Sequence, residues 1–231
     1  MAGRDRRIRG AAGPRGPPTA RRRYRGRVAP PGDHPSLAPD ALLRAYAAGC
    51  FPMDEPGAAG PVALYEADPR AVMPIAGFRV PRSVRRGLRR ERYEVRVDAA
   101  FDAVVAACAA RDETWLTPRL ARAYGALHRA GHAHSVEAWR EGRLCGGLFG
   151  VALGGLFTSE SMFHRAPDAG NAALVATAGL LAAGGFALWD IQMHSSHAAR
   201  FGARAVARAE YLRRLRAALA VECRLPGGGS G

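Results

Sequence analysis

The chain has no lysine: all 34 of its basic residues are arginines, set against 20 acidic ones. That gap, with the enrichment in alanine, glycine and arginine, reads as compositional drift as well as selection. Part of the formal net charge of +14 is discounted on that ground. The charge is also uneven. Residues 1–27 hold ten arginines against Asp5 alone, +9 of the total, which leaves +5 for the rest. A modestly basic body with a strongly basic extension suits a polyanion, nucleic acid ahead of an anionic membrane surface. Cysteine is scarce as well. Cys50, Cys108, Cys145 and Cys223 form no CxxC pair and no Cys/His group with zinc spacing. Free thiols in a reducing cytoplasm are expected.

Further absences narrow the function. The Arg-rich start runs into Pro, Gly and Asp rather than an apolar stretch, so no secretory signal is expected. Residues 172–189 are uncharged but Ala-rich, carry Gly179, Gly184 and Gly185 and end at Asp190; helix, turn and strand explain them better than a membrane span. There is no internal repeat. Serine chemistry lacks a G-x-S-x-G elbow, and His194 and His197 beside Ser195 and Ser196 do not make a triad. Gly146-Gly147-Leu148-Phe149-Gly150 is not followed by a helix, so it matches no phosphate loop or dinucleotide fingerprint. His132, His134 and Glu137 lack further local ligands, and no metal is expected.

What is present is a mixed α+β pattern. Residues 1–35 read as a disordered Arg-rich tail and residues 226–231 as a flexible end. Helices are expected over Pro39 to Ala48, Pro81 to Arg90, Asp98 to Ala110, Thr117 to Gly131, Asn171 to Ala183 and Ala207 to Leu219. Thr117 reads as a cap before Pro118. Strands are expected over Val62 to Tyr65, Ala71 to Ile75, Tyr93 to Val97, Ala133 to Trp139, Arg143 to Val151, Leu156 to Phe163 and Phe186 to Met193. Cys50 to Met53 reads as a turn.

Two of these strands concentrate the polarity. Alternation puts Thr158, Glu160 and Met162 on one face of the first, and Asp190, Gln192 and His194 on one face of the second. Buried carboxylates are costly unless used. An ordinary strand edge facing water also accounts for Asp190-x-Gln192. The pair of strands favours a cleft with two carboxylates and an amide, a set suited to orienting an amine nucleophile without a metal. Trp115 and Tyr124 are core aromatics or, beside arginine, a stacking platform for a nucleobase.

The chain closely resembles the leucyl/phenylalanyl-tRNA–protein transferases. The likeness runs through Leu42 to Pro52, Asp68 to Val72, Thr114 to Thr117, Gly131 to Trp139, Gly146 to Val151, Glu160 to Phe163 and Asp190-x-Gln192, collinear over residues ~36–215. It implies a small N-terminal domain, placed at residues 36–66, then a GNAT-like (acetyltransferase-like) domain at 67–225. It implies transfer of Leu or Phe from Leu-tRNA or Phe-tRNA to proteins with N-terminal Arg or Lys, marking them for N-degron degradation. No cofactor is implied beyond the aminoacyl-tRNA cosubstrate, and a cytoplasmic monomer with no membrane partner is expected. By the same resemblance, Asp190 orients Gln192, whose carbonyl positions the amine. Glu160 joins that relay or faces the cationic acceptor. Met162, Leu148, Leu174 and Tyr46 belong to the substrate pocket, and Trp115 and Tyr124 hold the terminal adenosine. Arg85, Arg86, Arg89 and Arg90 are tRNA-backbone candidates from charge alone.

The chain departs from the family pattern at Met53, where Trp is usual, at Asn171, where Lys is common, and at Thr177, Leu181 and Trp189. These changes leave the preference among Leu, Phe and Met open. The Arg tail lies outside the resemblance; a tRNA-attracting arm and an inert extension both fit it. Two rival readings are an acyl-CoA-dependent acetyltransferase and a noncatalytic RNA-binding protein on the same scaffold. The first expects a Gly-rich pyrophosphate loop near Arg165 to Ala172, and His164 to Asn171 does not match it.

Overall fold

The structure, a computed structural model, describes residues 37–57, 60–112 and 114–227. The expected Arg-rich tail over 1–35 and residues 228–231 of the expected flexible end lie outside the described residues. Helix α1 (Pro39–Ala47) opens with Pro39 and Asp40 in its first turn, both suited to a helix start. It closes before Gly49, whose φ of +80° favours glycine. Then come β1 (Phe51–Met53), β2 (Ala63–Tyr65), β3 (Arg70–Met73), α2 (Arg82–Glu91), β4 (Glu94–Val97), α3 (Phe101–Ala109) and α4 (Pro118–Arg129). The rest is β5 (Ala133–Arg140), β6 (Arg143–Leu153), β7 (Leu156–His164), α5 (Ala169–Ala183), β8 (Leu188–Asp190), α6 (Ser196–Ala199), β9 (Arg204–Val206) and α7 (Arg208–Leu219).

Seven strands form one mixed sheet in the order β4-β5-β6-β7-β8-β3-β9, while β1 and β2 pair separately. The strands β4 to β7 are antiparallel, and β7–β8 is the parallel pair, joined by the crossover helix α5. Alternation along the strands sends apolar side chains to both faces. Leu148, Phe157, Trp189 and Met73 face a core completed by α5, α2 and Phe201. On the other face, Phe149, Val151 and Phe163 join α1, α3 and α4, and Val72, Leu156 and Leu188 join α7. Residues of α1, β1 and β2 share one apolar cluster with α3, α4 and β6, so the N-terminal segment packs directly on the main sheet.

Four differences from the sequence reading have local causes. Phe51 to Met53 is a strand, because its backbone pairs Phe51 with Tyr65 and Met53 with Ala63. Strand β9, not anticipated, is three residues long and pairs only with β3. Thr117 precedes α4 but does not cap it; its hydroxyl donates to Asp54 Oδ2 instead. Strand β8 stops at Asp190 rather than running to Met193.

Candidate active site

Asp190 is the structural centre of the site and is fully buried. Arg70 grips its carboxylate with two nitrogens, Nε at 2.9 Å from Oδ1 and Nη2 at 2.6 Å from Oδ2. The Tyr211 hydroxyl donates to Oδ2 at 2.8 Å, and the Gln192 backbone N–H donates to Oδ1 at 2.8 Å. Arg70 also donates to the Gly49 carbonyl, and its guanidinium lies 4.7 Å from the Phe51 ring centroid and 4.6 Å from that of Tyr211. Burial alone would lower the Arg70 pKa; the adjacent Asp190 carboxylate more than offsets this and raises it. Burial and the same carboxylate raise the Tyr211 pKa. Two buried charges with this many partners are satisfied.

The chain leaves the sheet immediately after Asp190. Gln192 adopts φ +52°, a left-handed conformation uncommon for glutamine. It is held there by the Asp190 carboxylate and by Ala71, whose N–H donates to the Gln192 carbonyl at 3.1 Å. Asp190 and Gln192 therefore do not share a strand face as alternation implied. Asp190 turns inward beneath α7, while the Gln192 side chain turns to the cleft and donates through Nε2 to Glu160 Oε1 at 3.2 Å. His194, expected alongside them, is exposed.

Glu160 reaches Gln192 because it is an extra residue in β7. Phe149 pairs with Ser161 and Gly150 with Ser159, so Glu160 bulges between them. The bulge also resets the alternation. Glu160 turns toward α1 and α4, while Met162 joins Leu148 and Leu174 on the α5 face. The expectation that Thr158, Glu160 and Met162 share one face fails for that reason. The Tyr124 hydroxyl donates to Glu160 Oε2 at 3.1 Å, so its oxygen accepts from Tyr46, 2.9 Å away. Burial pushes the Glu160 carboxyl up to about 8 against the opposing pull of the Tyr46 and Tyr124 hydroxyls, and the negative charge of Asp190 adds to the rise.

Above Gln192 and Glu160 opens a pocket of about 260 Å³ walled by Met73, Leu148, Met162, Leu174 and Ile191, with Ser159, Ser195 and His197 among its polar lining. A larger cavity of about 660 Å³ shares Met162 and His197 with it and is lined by Arg111, His164, Arg165, Asp168 and Asn171. An apolar pocket ending on an amide and a carboxylate can seat an apolar side chain and place a reacting group at its polar end.

The structure brings Asp190, Gln192, Glu160, Met162, Leu148 and Leu174 together, and it corrects two sequence expectations. Tyr124 is wholly buried, with Trp115 edge-on at 6.3 Å and Phe149 at 5.1 Å, so it has no free face for adenosine; it acts through its hydroxyl. Tyr46 is equally buried and supports Glu160 from behind rather than lining the pocket. Trp115 is half-buried on the α4 side of the sheet. Arg85, Arg86, Arg89 and Arg90 are all exposed on α2, which packs on the α5 side through Val84 and Leu88. These two sets of candidate nucleic-acid contacts thus lie on opposite layers. Among the described residues no three His, Cys, Asp or Glu side chains gather around a metal position. His134 instead bonds Asp98 at 2.8 Å.

Sequence reasoning missed Arg70, Tyr211, Asn171 and His197 as site residues. One signal was available for the amides: Gln192 is the chain's only glutamine and Asn171 its only asparagine. In a chain otherwise emptied of side-chain amides, both lie at the cleft.

Comparison with known proteins places the chain in a family. The family model described as leucyl/phenylalanyl-tRNA protein transferase matches residues 72–216, and the model of the N-terminal domain of the same family matches residues 36–68. The leucyl/phenylalanyl-tRNA–protein transferase of Rubrobacter xylanophilus is 49% identical over 187 residues, 80% of this chain and 97% of that one. Its counterpart in Salinibacter ruber is 48% identical, covering 80% of this chain and 81% of the relative. That of Herpetosiphon aurantiacus is 48% identical, covering 76% and 91%. Among solved structures, the C-terminal domain of a putative lysylphosphatidylglycerol synthetase from Agrobacterium fabrum matches at 13% identity with a TM-score of 0.40, over 77% of this chain and 69% of that one. That likeness is too distant to assign the fold. Matched along both of its segments, and close to half identical to relatives over most of their length, the chain belongs to the leucyl/phenylalanyl-tRNA–protein transferase family.

Proposed function

We propose that the protein moves Leu or Phe from aminoacyl-tRNA to the α-amine of acceptor proteins with N-terminal Arg or Lys, marking them for N-degron degradation. The observation that carries this reading is the Asp190–Gln192–Glu160 arrangement at the polar end of an apolar pocket. Ester aminolysis needs a positioned carbonyl and a positioned neutral amine. The pocket seats the Leu or Phe side chain against Met162, Leu148 and Leu174, where a flexible thioether adapts to either shape. Asp190 pins the Gln192 backbone and Glu160 engages Nε2, which leaves the amide carbonyl to accept a hydrogen bond from the attacking amine. Glu160, whose carboxyl burial holds up at about 8, would be drawn toward its ionised form by a cationic acceptor brought to the cleft. Aminoacyl-tRNA is the cosubstrate, and the reaction calls for no further cofactor.

The sheet supports an acetyltransferase-like topology for the main body: an antiparallel run β4 to β7, then a parallel β7–β8 pair with the site at its seam. The exposed arginines of α2 suit the tRNA backbone. A cytoplasmic monomer fits this reading; no helix among the described residues is long and apolar enough to cross a membrane. The test is transfer of radiolabelled Leu or Phe from tRNA to a peptide beginning with Arg, with Gln192→Ala as control. Labelled peptide with the parent and little with the variant is expected. Binding of tRNA without transfer from either aminoacyl-tRNA would overturn the proposal in favour of a noncatalytic RNA-binding protein.

A further inference from the structure

We propose that His197 is the general base of the transfer, taking the proton from the attacking amine through Nδ1. The inference rests on the aminoacyl-transfer reading above and adds the group that must receive this proton. Forming the N–C bond on the ester carbonyl leaves the amine nitrogen with a proton to lose, and breaking the C–O bond leaves the ribose oxygen needing one. An amide such as Gln192 can orient the amine but is not a base at neutral pH. His197 lines the pocket with Gln192 and Glu160, where it opens into the larger cavity.

The ring is oriented as a base should be. His197 Nε2 lies 2.9 Å from Asn171 Oδ1, and Asn171 Nδ2 donates to Asp168 Oδ1 at 2.7 Å. A carboxylate only accepts, so Asp168 fixes which way the Asn171 amide points. Oδ1 then faces the histidine, Nε2 must carry the hydrogen, and Nδ1 of the neutral ring keeps its lone pair. Phe201 holds the ring from the side, with ring centroids 5.2 Å apart. A base oriented by a second group and anchored by a third is the arrangement nucleophilic active sites use. Helix α2 comes close enough to Asp168 that a Cβ at Gly87 would lie 1.9 Å from Oδ2, so the glycine makes room for the anchor. Asn171 is also the one asparagine of the chain.

The surroundings keep the imidazole neutral. Burial lowers the His197 pKa, and the nearby Arg200 and His164 lower it further. Asp168 bonds Asn171 rather than the ring, and Glu160 shares the pocket lining with His197. The proton on Nδ1 would pass to the ribose oxygen as it leaves, regenerating the neutral ring.

Steady-state transfer from Leu-tRNA to the Arg-peptide tests this with the full chain carrying His197→Ala, His197→Gln or Asn171→Leu. Thermal unfolding and tRNA affinity confirm that each variant is folded; the similarly sized, polar His197→Gln serves should the alanine variant unfold. We expect kcat to fall about 10²-fold or more in the His197 variants, in line with general-base catalysis, with KM for aminoacyl-tRNA within about threefold. Added imidazole should restore part of the rate to His197→Ala. Asn171→Leu should lose about tenfold alone and nothing further on a His197→Ala background, since the two act as a unit. A kcat within threefold of the parent, a loss confined to KM, or no imidazole rescue overturns the assignment. Absence of transfer by the parent chain would instead remove the reading on which it rests.

Discussion

At the scale of single residues, Asp190 and Gln192 carry different kinds of work although they sit two apart. Asp190 is a buried hub for Arg70, Tyr211 and the Gln192 backbone, whereas Gln192 is half-buried at the cleft. Asp190→Ala strands the Arg70 charge in the interior and should cost about 3–5 kcal/mol of stability. Gln192→Ala keeps the backbone bonds to Asp190 and Ala71 and loses the side-chain bond to Glu160, so it should cost about 1 kcal/mol, while transfer collapses. Denaturant melts and transfer rates on both variants check this; equal stability losses would refute the division. Glu160 gives a pH signature. Its carboxyl moves from the ordinary 4.5 to about 8 on folding. Between those values the folded state holds a proton that the unfolded chain has released, so the contribution falls as pH rises across that window and is flat outside it. Relative to the parent, Glu160→Gln should gain stability from about pH 5 to about pH 8 and then level off; a pH-independent difference in melts would count against it. The gathering of Asp190, Gln192 and Glu160 at one cleft was legible in the sequence as polarity in apolar strands. The support from Arg70 was not, because a contact across 120 positions leaves no local pattern.

At the scale of elements, a bulge and a strand end make the site. A regular β7 would place Glu160 and Met162 on one face; the extra residue instead aims the carboxylate at Tyr124 and the thioether at the pocket. Period-two reading cannot see such an insertion, since the two-against-one pairing lies in the partner strand's register. The same limit explains why β8 was read too long, for Ile191 to Met193 is apolar enough for a strand and leaves it only through the left-handed Gln192. Gly150, opposite the bulge, has no room for a side chain: a Cβ there would come 2.4 Å from the Thr158 carbonyl and 2.7 Å from the Phe157 ring. Gly150→Ala should therefore destabilise by about 1–3 kcal/mol, the usual range for overpacking, and lower kcat by shifting Glu160. An unchanged melt with full transfer activity would mean that the bulge tolerates repacking.

At the scale of the whole molecule, the layers form a continuous route to the chemistry. Helix α2, which carries the exposed arginines, meets Asp168 at Gly87 on its inward side, Asp168 lines the larger cavity, and that cavity meets the apolar pocket at Met162 and His197. From the opposite layer, the hydroxyls of Tyr46 and Tyr124 and the Arg70 bond to Gly49 tie the N-terminal segment to Glu160 and Asp190. A polyanion laid along α2 would thus deliver its end to the pocket, with the site braced from behind. Arg85, Arg86 and Arg89 have no ion-pair partner among the contacts of the described residues, and Arg90 pairs only with its neighbour Glu91, which Arg140 also holds. Contacts of that kind act through counterion release, each phosphate neutralised adding roughly 0.7–0.9 to the slope of log affinity against log salt. Replacing all four arginines with alanine should therefore flatten the slope for tRNA binding by about 3 and weaken binding at low salt far more than at high salt. Filter binding of aminoacyl-tRNA across a salt series measures both. A parallel line with an unchanged slope would place the tRNA body elsewhere, with Trp115 on the opposite layer as the next position to test.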